Sequence, residues 1–170
     1  MVYDIRNGSG HGITNGGADF FNINNTLMFT ASNSLSNTEW WKSDGTASGT
    51  GIVKEIRSGS DGSYPSYPVA VGNTLYFEAN DGTHGSELWK SDGTDAGTVM
   101  VHDLRSGGGS DTAYLIHVGT NLFFSAYSGT SFGIYVLNNT FQYNTSAGSG
   151  SGGMTNVLSL IHISEPTRPY

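Results

Sequence analysis

The chain has 170 residues and no cysteine, which excludes disulfide staples and cysteine-built zinc sites. Only 12% of its residues are charged and the net charge is −7, so the basic footprint of a nucleic-acid binder is missing. Its 25 glycines and 36% hydrophobic share suit an all-β chain of short strands and polar turns, and no apolar run approaches the roughly 20 residues that span a bilayer.

In chain order, Met1-Val2-Tyr3-Asp4-Ile5-Arg6 reads as a strand, with neither the basic nor the apolar region of a signal peptide. It lines up with Met100-Val101-His102-Asp103-Leu104-Arg105. The chain is therefore expected to start inside a strand of a longer reading frame; the alternative is a permuted closure in which this strand completes the last unit. After a glycine-rich loop, Leu27, Phe29 and Ala31 alternate as the buried face of a strand. The stretch "EWWKSDGTASGT" at 39–50 then supplies a strand, an Asp-Gly loop and the entry to the next strand.

The same order returns. Leu75, Phe77 and Ala79 repeat the strand face, and "ELWKSDGTDAGT" at 87–98 repeats the loop, with Trp41 recurring as Trp89, 48 positions on. Further strands are expected around Tyr67–Val71, at Glu87–Lys90 and at Val99–Leu104. A third pass keeps Leu122, Phe124 and Ala126, but "GIYVLNNTF" at 133–141 lacks both the Trp and the Asp-Gly. The units run approximately 1–50, 51–98 and 99–141, the first and last incomplete. Four short strands in about 48 residues make a small sheet that must stack on its neighbours to bury both faces. The expected fold is all-β, a partial β-propeller of four-stranded units; a β-solenoid or other sheet stack is the alternative.

Residues 142–157 read as a Gly/Ser-rich linker or a degraded repeat. The stretch "LSLIHISEPTR" at 158–168 does not resemble the repeat; it resembles a translated sequencing-library adapter. Residues 158–170 are thus expected to be a non-native read-through tail in which His162 and Glu165 carry no function. Three units fall short of the roughly four to eight blades of a closed propeller, so unpaired sheet faces and self-association are expected.

Among polar columns, Asp4, Glu55 and Asp103 precede Arg6, Arg57 and Arg105 by two residues, a spacing that places each pair on one strand face. Pairing there, or with loop carbonyls, fits a structural role, because a feature repeated in every unit serves packing rather than one catalytic centre. Asp44-Gly45 and Asp92-Gly93 read as turns. Calcium at Asp44 or Asp92 is a weaker alternative, since the D-x-[DN]-x-[DN]-G spacing is absent. The contiguous Ser-Asp-Gly-Thr also departs from the S-x-D-x-G-x-T-W of the sialidase Asp-box. Trp41 and Trp89 are expected in unit packing rather than sugar stacking. Tyr64 and Tyr67, flanking Pro65 and present in one pass only, are the candidate ligand-binding residues. His11, His84, His102 and His117 are too scattered for a zinc pair, and no nucleophile elbow or phosphate loop occurs.

The run Glu87-Leu88-Trp89-Lys90-Ser91-Asp92-Gly93-Thr94, followed by Gly97-Thr98, resembles the ELWxxDGT repeat family of bacterial proteins. Residues 76–107 look like one full unit, while Glu39-Trp40-Trp41 departs from the motif and the third pass departs further. The resemblance implies tandem propeller-like repeats in large, secreted or surface-attached proteins, and it carries over no catalytic residue and no cofactor. The expected function is a non-catalytic binding, adhesion or spacer module at the cell surface, its partners a glycan or protein ligand and neighbouring repeats. The alternative is a glycan-active enzyme, for which Asp19, Asp61 and Asp111 are the only loop acids to nominate.

Overall fold

The structure, a computed structural model, describes residues 4–5, 12, 20–33 and 37–138, and the backbone of 141–142, 155–156 and 159–163. The first sheet contains β1 (Phe21–Ile23), β2 (Thr26–Ser32), β3 (Thr38–Ser43) and β4 (Gly51–Ile52), antiparallel and in chain order. Asn24 and Asn25, at φ of 52° and 61°, make its two-residue hairpin, where the mirror-image turn matches the twist of the strands. The second sheet repeats that order with β5 (Ser66–Val71), β6 (Thr74–Asn80), β7 (Ser86–Ser91) and β8 (Val99–His102).

A third sheet is formed by β9 (Ala113–Val118), β10 (Asn121–Tyr127) and β11 (Phe132–Asn138). Two short strands, β12 (Phe141–Gln142) and β13 (Thr155–Asn156), pair separately, and β14 (Ser159–Ile163) joins β11. Residues 159–163 of the tail segment resembling an adapter therefore occupy the outer position that β4 and β8 hold in the other sheets. The sheets themselves are divided after β4 and β8, whereas unit limits drawn at 50 and 98 separate each of these strands from the sheet it closes.

Equivalent pairs recur across the sheets: Phe29 opposite Trp41, Phe77 opposite Trp89, and Phe124 opposite Tyr135. The Leu-x-Phe-x-Ala residues share a face with these partners, hereafter the front of each sheet; the intervening positions form its back. The back of the first sheet (Ile23, Met28, Trp40) packs on the front of the second (Leu75, Phe77, Ala79, Trp89). Trp40 fills that layer, its ring 5.5 Å from Phe77. The back of the second sheet (Tyr76, Leu88) packs in turn on the front of the third (Leu122, Phe124, Ala126, Tyr135, Leu137). Buried on both faces, the middle sheet departs from the half-solvated pattern usual for antiparallel sheets. No described helix is long and apolar enough to cross a membrane.

Candidate functional site

The Asp-Gly loops are self-contained. Asp44 Oδ1 accepts the Thr46 amide at 2.9 Å and the Thr46 hydroxyl at 2.7 Å. Thr46 Oγ1 accepts the Gly49 amide, and the Thr50 hydroxyl donates to the Thr46 carbonyl. In the second sheet the same bonds run from Thr94 to Asp92 at 2.9 and 2.6 Å, from Gly97 to Thr94, and from Thr98 to the Thr94 carbonyl. Gly45 and Gly93 supply φ of 91° and 87°. Gly97 is glycine for another reason: a Cβ there would lie 2.0 Å from Asp92 Oδ1. The Thr46 and Thr94 hydroxyls, followed by their amides, hold Asp44 and Asp92 below the usual carboxylate pKa. Among the described residues, no group of three or more His, Asp or Glu is placed to hold a metal ion.

Trp41 and Trp89 are buried on the front faces, where Trp89 packs with Phe77 and Leu75. The Trp89 indole N–H has no hydrogen-bond partner among the described residues, so its contribution is apolar packing. Glu39 and Glu87 lie two residues before these tryptophans on the same faces and are fully buried. Glu39 accepts the Arg57 and Ser63 amides through Oε1 and the Ser63 hydroxyl through Oε2 at 2.5 Å. Glu87 accepts the Ser110 amide at 2.9 Å, the Ser110 hydroxyl at 2.6 Å and the Leu104 amide at 3.3 Å.

Each glutamate thereby pins the segment that connects its sheet to the next. The Ser63 carbonyl in turn accepts the Asn80 amide of the following sheet, and the Ser110 carbonyl accepts that of Tyr127. Burial raises the pKa of both glutamates, and the serine hydroxyls and backbone amides offset only part of that rise. An acid at a core-facing position in two passes was the available sequence signal for this role.

The arginines reach forward rather than back. Arg57 pairs with Asp61 at 2.9 Å, and its side chain lies against Gly82 of the next sheet's β6–β7 loop. The Arg105 guanidinium donates to the Gly109 carbonyl at 3.3 Å and lies over the Tyr127 ring at 5.1 Å. Of the two expected pairings, Arg105 takes a loop carbonyl, while Arg57 takes the loop carboxylate of Asp61 instead, and Arg6 lies outside the described residues. His84 bonds Asp81 at 2.6 Å, and His102 Nδ1 lies 2.9 Å from the Asp103 carbonyl. Of the nominated acids, Asp61 is held by Arg57, Asp111 follows the Ser110 connection, and Asp19, like His11, lies outside the described residues.

Tyr64 and Tyr67 are exposed and both adopt left-handed backbone, at φ of 49° and 51°. Tyr67 sits where β5 carries one extra residue against β6, between the pairs Ser66–Glu78 and Val69–Tyr76. β9 has the same bulge between Ala113–Ser125 and Ile116–Phe123, and there Tyr114 occupies the equivalent place at φ 53°. Tyr67 thus has a counterpart in the next pass, contrary to the expectation from sequence. The shifted register hid it from a simple alternation pattern.

These first strands are also where the second and third sheets approach each other most closely. The Tyr67 and Tyr114 rings lie 5.9 Å apart, 47% and 77% exposed. Together they present two ring faces and two hydroxyls to solvent. No family model, curated protein or solved structure matches the chain.

Proposed function

We propose that the chain is a non-catalytic module of propeller-like repeats, part of a larger secreted or cell-surface bacterial protein, that binds a glycan or protein ligand through Tyr67 and Tyr114. The bulge tyrosines carry this proposal. Left-handed backbone costs a side-chain-bearing residue about 1–2 kcal/mol, and glycine is the residue that bulges of this kind normally use. Both positions hold an exposed tyrosine instead, and strained backbone concentrates at functional sites. Paired rings with polar tips suit a ligand that offers both apolar faces and hydroxyl or amide groups. The ELWxxDGT-like motif supports the bacterial, surface-attached origin.

Glycine at both positions separates ligand binding from folding. The variant Tyr67→Gly/Tyr114→Gly is expected to melt at or above the wild-type temperature while losing binding to an oligosaccharide panel or a surface-protein ligand, read by titration calorimetry. Binding that survives the double replacement removes the site. Turnover of any glycan in the panel overturns the non-catalytic assignment.

A further inference from the structure

Four strands surround the tyrosine pair: β5 and β9 carry the two residues, and β6 and β10 flank them. Of Asp, Glu, Lys and Arg, these strands hold a single residue, Glu78 of β6. Glu78 is half-buried on the back of the second sheet, between Ser66 and Leu88 on the neighbouring strands. Its Oε2 accepts the Ser66 hydroxyl at 2.7 Å, one residue before Tyr67, and its Oε1 has no partner among the described residues.

The bulge does not require that carboxylate. In the third sheet the register-matched pair is Ala113 and Ser125, and there the Ser125 hydroxyl donates to the Ala113 carbonyl at 3.2 Å. The same bulge, tyrosine included, thus forms around a neutral bond. In the first sheet the position of Glu78 is held by Thr30. A residue repeated in every sheet serves packing, whereas Glu78 occurs once, beside the tyrosines. A half-buried charge costs stability unless it is paired.

The described cations are engaged elsewhere. Lys42 bonds the Gly93 carbonyl, Lys54 pairs with Asp95, Arg57 with Asp61, and Arg105 donates to the Gly109 carbonyl. Among the described residues, no Lys or Arg forms an ion pair with Glu78. Arg105 shows the kind of group that fits, since its guanidinium lies over the Tyr127 ring at 5.1 Å while it bonds an acceptor. A guanidinium is planar, stacks on aromatic faces and carries a fork of donors that matches a carboxylate.

We infer that the ligand of this site is a basic protein segment, one of whose arginine side chains lies over Tyr67 and Tyr114 and donates to Glu78. This rests on the binding site proposed above and narrows its ligand from a glycan or a protein to an arginine-bearing protein. The net charge of −7, with exposed Asp111 three residues before Tyr114, favours the approach of such a segment. A neutral sugar would use the rings and leave the Glu78 charge unanswered.

The test is titration calorimetry of the full chain at physiological salt. The probes are a blocked peptide carrying two arginines and the same peptide with citrulline, the neutral isostere, in their place. Wild type is expected to bind the arginine peptide about tenfold more tightly than the citrulline peptide. Glu78→Gln, which keeps an acceptor for Ser66, should weaken arginine binding by a similar factor and leave citrulline binding unchanged. The citrulline comparison needs no variant, so it decides the matter even where Glu78→Gln does not fold. Equal binding of the two peptides, or no binding of the arginine peptide, would overturn the arginine ligand while leaving the tyrosine site. An uncharged oligosaccharide bound through the tyrosines with the same affinity in wild type and Glu78→Gln would do the same. Tyr67→Gly/Tyr114→Gly keeps every charge of the protein. Arginine-peptide binding at full strength in that variant would be mere charge attraction, and it would remove the site together with its ligand.

Discussion

Asp92 and Gly97 depend on each other: the carboxylate caps the Thr94 amide and hydroxyl only because position 97 carries no Cβ. Asp92→Ala removes an acceptor from two exposed or half-buried donors and should cost about 1 kcal/mol. Gly97→Ala should cost a similar amount by displacing the same carboxylate. In the double variant the second change should therefore be nearly free, a non-additivity that a double-mutant cycle from chemical denaturation would detect. Fully additive costs would mean that alanine at 97 acts through the backbone instead. The turn role of the Asp-Gly pairs was legible in the sequence, since Asp and Gly are the residues that such turns require. The role of Gly97 was not, because it follows from a three-dimensional approach rather than from a backbone angle.

At the scale of the elements, the connections 57–64 and 105–111 matter as much as the strands. Each is held by a buried glutamate on one sheet and bonds the next, so it sets the spacing of the stack. Glu87→Ala leaves the Leu104 and Ser110 donors without their acceptor and should cost about 3 kcal/mol. Glu87→Gln keeps an acceptor and should cost much less near neutral pH. Titration separates the two effects. A glutamate whose folded pKa is raised contributes stability that is fully present below its ordinary value of 4.5 and lost as pH rises through the folded value.

Wild-type stability should therefore increase as pH falls from neutral toward 4.5, and Glu39→Gln/Glu87→Gln should flatten that limb in denaturation midpoints. His84, raised chiefly by its hydrogen bond to Asp81 and then by the Asp81 charge, contributes stability that is likewise lost as pH rises above 6.5. The loop aspartates act oppositely and at lower pH: Asp44 and Asp92 have depressed values, so their contribution is lost only as pH falls below about 3.8. An unchanged limb in the double glutamine variant would place the titrating groups elsewhere.

For the whole molecule, the exposed apolar side chains of Leu27, Val118 and Ile134 and a net charge of −7 act against each other. Apolar contact draws copies together, while like charge opposes their approach. Added salt screens the repulsion and should strengthen assembly, whereas a contact held by ion pairs would weaken. Because association stabilises the folded form by mass action, the wild-type melting temperature should rise with protein concentration, and that of Val118→Arg should not. A concentration-independent melt for both would show that these side chains stay exposed in solution.

The sequence by itself determined the strands around 67–71, 87–90 and 99–104, the front-face alternation of Leu27, Phe29 and Ala31 with its later copies, and the Asp-Gly turns, whereas the strand expected at Met1–Arg6 lies almost wholly outside the described residues. All of these are set by interactions within a few residues or by side-chain parity along a strand. Only the tertiary structure decided which sheet closes at β4 or β8, that Glu39 and Glu87 pin the connections, and that Tyr67 and Tyr114 meet. It also decided which apolar side chains are covered and which stay exposed. These features arise between segments distant in sequence, where register shifts, close backbone approaches and stacking order are set by the packing of one sheet on another.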